Sequence, residues 1–259
     1  MTAGAAGAAR SVWLVDAPTV NTRDLAGMPT RWGTVAPGRL YRGPVPTTWW
    51  PERPAPPAGF AFRTLVDLRG DDEVAAHPAC PQALGHGVRW VRLPVRGAAP
   101  FPSGPPQPSD YVRVYAALLE PTAAVTADVV RLLAEPGRLP AQIGCTLGKD
   151  RTGMVVALLL AALGAPADRI AGDYALTARR LRPGPGPAVW DLVGRPQADF
   201  ARRVHTVPST IRHVLDEVEQ RHGGAAALLG RFGIVADDLA AVGQALTARP
   251  PADDTSDEK

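Results

Sequence analysis

Residues 140–163 limit the possible folds of this chain more than any other stretch. PAQIGC, Pro140 to Cys145, reads as a buried strand. A helical pattern fills Arg151 to Leu163, and its apolar run from Met154 is too short to cross a bilayer, so it reads as a core helix. The chain must therefore carry a buried strand into a buried helix through GCTLGKDRTG, a loop of glycines and charges. A structural cysteine has no need of Lys149, Asp150 and Arg151 beside it. A thiolate that attacks phosphorus does.

The chemistry follows from the loop's place in the chain. A loop between a strand end and a helix start turns unpaired backbone N–H groups toward one spot, at the positive end of the helix dipole. Thr146, Leu147, Gly148 and Lys149 form such a cradle for an anion, with Arg151 and Thr152 on its helical side. A free thiol ionises at about pH 8.5, and surroundings of this kind favour its thiolate. Arg151 offers a planar, permanently charged fork for two phosphate oxygens. Gly148 permits tight curvature, and Thr152 can donate its hydroxyl to the sulfur.

Cys-x5-Arg alone is a weak signal; strand, glycine, basic residue, arginine and helix in this order make a stronger one. A nucleotide-binding Walker loop does not fit. Ile143 stands where its first glycine belongs, and Asp150 rather than Ser or Thr follows Lys149. Cys80, in HPACPQALGH, has no arginine at the matching position and reads as inert.

Around this centre the pattern runs strands first, helices later. SVWLV, RLYRG, FRTLVDLRG and GVRWVRLPV read as strands. Helical patterns fill Asp110 to Glu120, Ala123 to Ala134, Ala167 to Leu181, Thr210 to His222, Ala225 to Arg231 and Ala236 to Ala248. With 28 prolines and 26 glycines, these elements must be joined by stiff or open loops. Two loops stand out, GAAPFPSGPPQPSD from Gly97 and RPGPGPAVWDLVGRP from Arg182. The second holds an apolar Val189–Trp190 pair, and we expect Arg182 to Pro196 to fold over the pocket mouth as a lid, with Trp190 shielding the intermediate from solvent or contacting the substrate.

The expected organisation is a single domain over residues 13–249 between disordered tails at 1–12 and 250–259. Hydrophobic residues at 46% and charged ones at 20% describe a soluble globular protein, and the net charge of +3 is spread among interspersed acids and arginines. That argues against nucleic acid as a partner and against integral membrane association. The N-terminus does not read as a secretory signal, so a reducing cytoplasm is the expected location, with leaderless export as the alternative. The five histidines share no metal-ligand spacing, and no metal site is expected.

CTLGKDRTG resembles the active-site loop of cysteine-dependent phosphatases, in particular those of the bacterial tyrosine-phosphatase-like family. NTRDLAG from Asn21, GRLYRG from Gly38 and TLVDLRGDDE from Thr64 are similar to that family's other segments, in its order; GRFGIVADDLAAVGQAL is similar to its closing helices. The resemblance implies a three-layer α/β fold and a two-step reaction through a phosphocysteine on Cys145. Arg151 would hold the phosphoryl group and Lys149 would add charge. No cofactor is implied, because positioning and electrostatics supply most of the stabilisation in phosphoryl transfer. Asp150 is the preferred general acid, with Asp67 as the other candidate. The alternative role for Asp67 is an ion pair with an arginine. Asn21, Arg23 and Asp24 read as scaffold, and Arg42 as scaffold or a substrate contact.

One departure falls beside the nucleophile: the family's histidine before the cysteine is here Gly144. Gly43 likewise replaces the family's serine. A second reading follows, a pseudo-phosphatase that binds phosphorylated ligands without turnover. Sulfur transfer or arsenate reduction fits the GKDRTG remainder less well. The expected partner is a phosphorylated substrate: a small-molecule metabolite, a lipid head group or a phosphoprotein.

Overall fold

The computed structural model of the chain describes residues 21–46, 63–76, 78–79, 87–97, 108–181 and 207–248. Among them, five strands form a mixed sheet: β1 (Arg23–Asp24), β4 (Leu40–Pro44), β5 (Thr64–Asp67), β6 (Arg89–Arg92) and β7 (Ala141–Cys145). Their order is β1-β4-β7-β5-β6. β1 pairs antiparallel with β4, whereas β4, β7, β5 and β6 run parallel. A small hairpin, β2 (Pro29–Thr30) with β3 (Gly33–Thr34), stands apart from the sheet.

β7 is the central strand, and all five of its residues are buried. It reads as a continuous short run rather than an alternation, as expected where both faces are covered. The parallel strands bring Pro44, Asp67, Arg92 and Cys145 to one edge of the sheet. In open α/β sheets this carboxyl edge is where ligands bind.

The helices are α1 (Asp71–Ala76), α2 (Pro108–Ala134), α3 (Asp150–Ala162), α4 (Ala167–Arg180), α5 (Pro208–His222), α6 (Ala225–Gly230) and α7 (Ala236–Thr247). α3 is the hub. It packs on β4 and β7 and also against α2, α4, α5 and α6. Met154, Val155, Leu158, Leu159 and Leu160 are fully buried, each contributing about 1.5–3 kcal/mol by leaving water. The first turn of α3, where the loop's charges lie, is thus fixed by the best-buried helix of the fold. The α/β class implied by the resemblance is what the structure shows, a mixed central sheet flanked by helices.

The expected strands RLYRG, FRTLVDLRG, GVRWVRLPV and PAQIGC correspond to β4, β5, β6 and β7. Two expectations are corrected. The helical patterns at Asp110–Glu120 and Ala123–Ala134 are one helix, α2, continuous through Pro121. Tyr111, Val114, Tyr115, Leu118, Ala123, Ala127 and Val130 bury one side of it along its length, and that packing outweighs the missing N–H. α2 also takes the last residues of the expected loop, starting at Pro108, where a proline lacks only an N–H that would have no helical partner. SVWLV, Cys80, both tails and the Arg182–Pro196 segment with Trp190 lie outside the described residues. Among the described residues, no helix is long and apolar enough to cross a membrane.

Candidate active site

Cys145 ends β7 as a free, buried thiol, opposite Pro44 of β4. The chain then turns through residues 146–149 and enters α3 at Asp150. Gly148 makes the turn with φ +64°, and it lies directly on β4, where a Cβ would overlap the backbone of Gly43. Both the angle and the contact require glycine there. Gly144 is constrained by space alone, since a Cβ on it would sit 2.9 Å from the Gly43 carbonyl oxygen and 3.2 Å from Val45. The two departures from the family pattern, Gly43 and Gly144, are register partners on β4 and β7; Gly144 is hemmed in by β4, and a Cβ on Gly43 would instead collide with Thr22.

The loop is held through its carbonyls. Asn21 Nδ2 donates to Leu147 O (3.1 Å) and Gly148 O (3.0 Å), and Arg42 Nη2 donates to Gly148 O (3.0 Å). Its N–H side is left open: among the described residues, the N–H groups of Thr146, Leu147 and Gly148 donate to no partner. Buried N–H groups almost always find acceptors, so a run of open donors beside a thiol is the signature of an anion site. Thr152, expected to donate to the sulfur, is fully buried, but its hydroxyl has no hydrogen-bond partner.

Arg151 is gripped by a residue that sequence reasoning missed. Its Nη1 and Nη2 donate to the two carboxylate oxygens of Glu73, at 2.5 and 2.6 Å. Weaker contacts at 3.4 Å reach Leu68 O and Thr146 Oγ1. Glu73 lies on α1 and also accepts from the Thr146 hydroxyl and, at 2.9 Å, from Gly70 N–H. Burial opposes ionisation of Glu73, but the Arg151 hydrogen bonds and charge, helped by Thr146 and Gly70, outweigh it and pull its pKa down to about 2. Arg151 is buried enough to favour loss of its proton, yet Glu73 and the charges of Cys145 and Asp150 hold its pKa above the ordinary value. Three acids after a strand were the available signal for Glu73; nothing local says which of them turns inward.

Asp150 is the first residue of α3, its side chain 28% exposed. Its Oδ1 accepts from Tyr115 Oη (2.6 Å) and from Lys149 Nζ (2.9 Å). Lys149 is buried, its ammonium 4.3 Å above the Tyr111 ring, so its charge is met by Asp150 and Tyr111. Asp67 is placed differently. It is fully buried, its oxygens take up Arg69 Nε and Nη2, and Trp90 Nε1 also donates to it at 3.1 Å. That arrangement is an ion-pair anchor.

Arg42 is held inside the fold. It is 1% exposed and lies between Gly148 O and Asp173 Oδ2, the latter at 2.7 Å. Asp173 of α4 also pairs with Arg23 at 2.6 Å, and Arg23 donates to Asn21 Oδ1. Loop, β1, β4 and α4 are thus tied through one largely buried carboxylate. Burial works against ionisation of Asp173, but Arg42 and Arg23 hold its pKa below the usual carboxylate range. Asp24 is scaffold, accepting from Ala26 N–H and Gly38 N–H.

A family model described as tyrosine phosphatase family matches residues 17–248. A Cupriavidus necator protein that carries the name "putative tyrosine-protein phosphatase" is 31% identical over 163 residues. That match covers 60% of this chain and 59% of the relative, so it spans less than two thirds of the relative's length.

Proposed function

Because the chain belongs to the tyrosine phosphatase family, we propose that it is a cysteine-dependent phosphomonoesterase with Cys145 as nucleophile. The observation that carries this reading is the open N–H run of Thr146, Leu147 and Gly148 between a buried free thiol and Arg151. The Cys145 thiolate attacks phosphorus as the ester P–O bond breaks, and Asp150 gives a proton to the leaving oxygen. Water then attacks the phosphocysteine while Asp150 takes a proton back; the S–P bond breaks and inorganic phosphate leaves. Arg151 and the loop N–H groups hold the phosphoryl oxygens, where charge shifts during both steps.

Phosphotyrosine, a phosphoinositide or a small-molecule phosphate each present the group this cradle fits, and a panel of such esters sorts them. The reading keeps a cytoplasmic setting, in which Cys145 stays reduced. A pseudo-phosphatase is the second reading, favoured by Gly144 in place of histidine and by an Arg151 fork already paired to Glu73. Phosphate release from p-nitrophenyl phosphate separates the two. Under the catalytic reading wild type turns over, while Cys145→Ser loses turnover and keeps its affinity for inorganic phosphate. Binding with no release by wild type would establish the pseudo-phosphatase.

A further inference from the structure

Asp150 is not held by the loop alone. Tyr115 comes from the first third of α2, fully buried, with its ring edge-on to Tyr111 (6.2 Å) and Tyr174 (6.4 Å). Its hydroxyl stands between Asp150 Oδ1 at 2.6 Å and the Tyr174 hydroxyl at 2.7 Å. An ionised carboxylate can only accept, so Tyr115 donates to Asp150, and Tyr174 must then donate to Tyr115. The direction of this two-hydroxyl chain is fixed by its end. Burial, then the Asp150 charge, raises the pKa of both tyrosines, which keeps both hydroxyls protonated as donors.

Lys149 Nζ donates to the same oxygen, Oδ1. Two donors therefore saturate Oδ1, whereas Oδ2 accepts no hydrogen bond among the described residues. A proton on Oδ1 would have to displace a donor; a proton on Oδ2 displaces nothing. We propose that Tyr115 is a positioning residue for proton transfer: it anchors Asp150 by Oδ1, so that Oδ2 alone carries the proton given to the leaving group and later taken from water. The inference rests on Asp150 being the general acid, and its test keeps the two claims apart.

General acid catalysis matters most when the leaving group is a poor one, so the readout is kcat/KM across aryl phosphates, which reports the first step and not hydrolysis of the phosphocysteine. Phenyl phosphate represents a basic leaving group and dinitrophenyl phosphate a good one. Asp150→Asn should lose about a hundredfold in kcat/KM with phenyl phosphate and change little in kcat/KM with dinitrophenyl phosphate, while its kcat falls for both esters because the second step loses its base. Tyr115→Phe keeps the ring and removes the anchor. It should lose about tenfold with phenyl phosphate, under threefold with dinitrophenyl phosphate, and nothing further in the Asp150→Asn background. A Tyr115→Phe loss of equal size for both esters, beside a graded loss in Asp150→Asn, would overturn the positioning role and leave the acid assignment intact. An ungraded loss in Asp150→Asn would remove the assignment itself and the inference with it. Should Tyr115→Phe fail to fold because the Tyr174 hydroxyl is left buried and alone, Tyr115→Phe with Tyr174→Phe removes both hydroxyls and carries the same expectations.

Discussion

At Gly144 the missing histidine is a matter of space. The residue has no left-handed φ that would demand glycine, but β4 approaches it so closely that the Gly43 carbonyl fills the volume of a Cβ. Gly144→Ala should cost about 1–3 kcal/mol by overpacking, read as a lower urea midpoint. Gly144→His should not restore the family arrangement, since the same carbonyl blocks its first carbon. Glu73 yields a prediction in pH. Its pKa lies at about 2 in the fold and 4.5 in the unfolded chain. A depressed acid stabilises the fold above its unfolded pKa, and that contribution fades as pH falls from 4.5 toward 2. The gap in Tm between wild type and Glu73→Gln should therefore shrink across that window. Its size stays modest, because Glu73 is 37% exposed and solvent screens the pair. A gap constant down to pH 2 would mean that the ion pair does not form in solution.

Elements carry two further expectations. Pro121 sits inside α2 without an N–H to donate, in a helix held by its buried side. Pro121→Ala should restore that hydrogen bond and raise stability by about 1–2 kcal/mol, the helical gain less the entropy a proline removes from the unfolded chain. A loss of stability would indicate that the two halves of α2 meet at a break. On α4, Asp173 neutralises Arg23 and Arg42 together at 10% exposure. Asp173→Ala leaves two buried guanidinium groups unpaired and should cost about 3–5 kcal/mol in urea unfolding. It should also slow turnover, because Arg42 positions the Gly148 carbonyl. The strands β4, β5, β6 and β7 and the hub helix were legible in the sequence because each is a local apolar pattern. α2 was read as two helices because a proline is a local signal, while the burial that overrides it is tertiary. β1 and α1 are too short to show a period at all.

Across the whole molecule, the site assembles from parts that lie far apart in sequence. Cys145, Asp150 and Arg151 were legible because nucleophile, acid and clamp share one loop. Glu73 stands 78 residues from Arg151, Tyr115 stands 35 from Asp150, and Asp173 stands 131 from Arg42. No spacing rule links such pairs; only the parallel sheet, which gathers its carboxyl ends, and the packing of α2 and α4 on α3 bring them together. Asp67 and Arg42 are charged residues on strands reaching the same edge, and each is engaged there in an ion pair, with Arg69 and Asp173 respectively. The central claim is that Cys145 becomes phosphorylated in turnover. Asp150→Asn with dinitrophenyl phosphate tests it most directly, because a good leaving group spares the first step while loss of the base slows the second. Quenching in alkaline denaturant and mass analysis should place a phosphoryl group on the peptide containing Cys145, with a matching burst of dinitrophenolate. Continued turnover with no phosphoryl group on that peptide, or unchanged turnover in Cys145→Ser, would contradict the account.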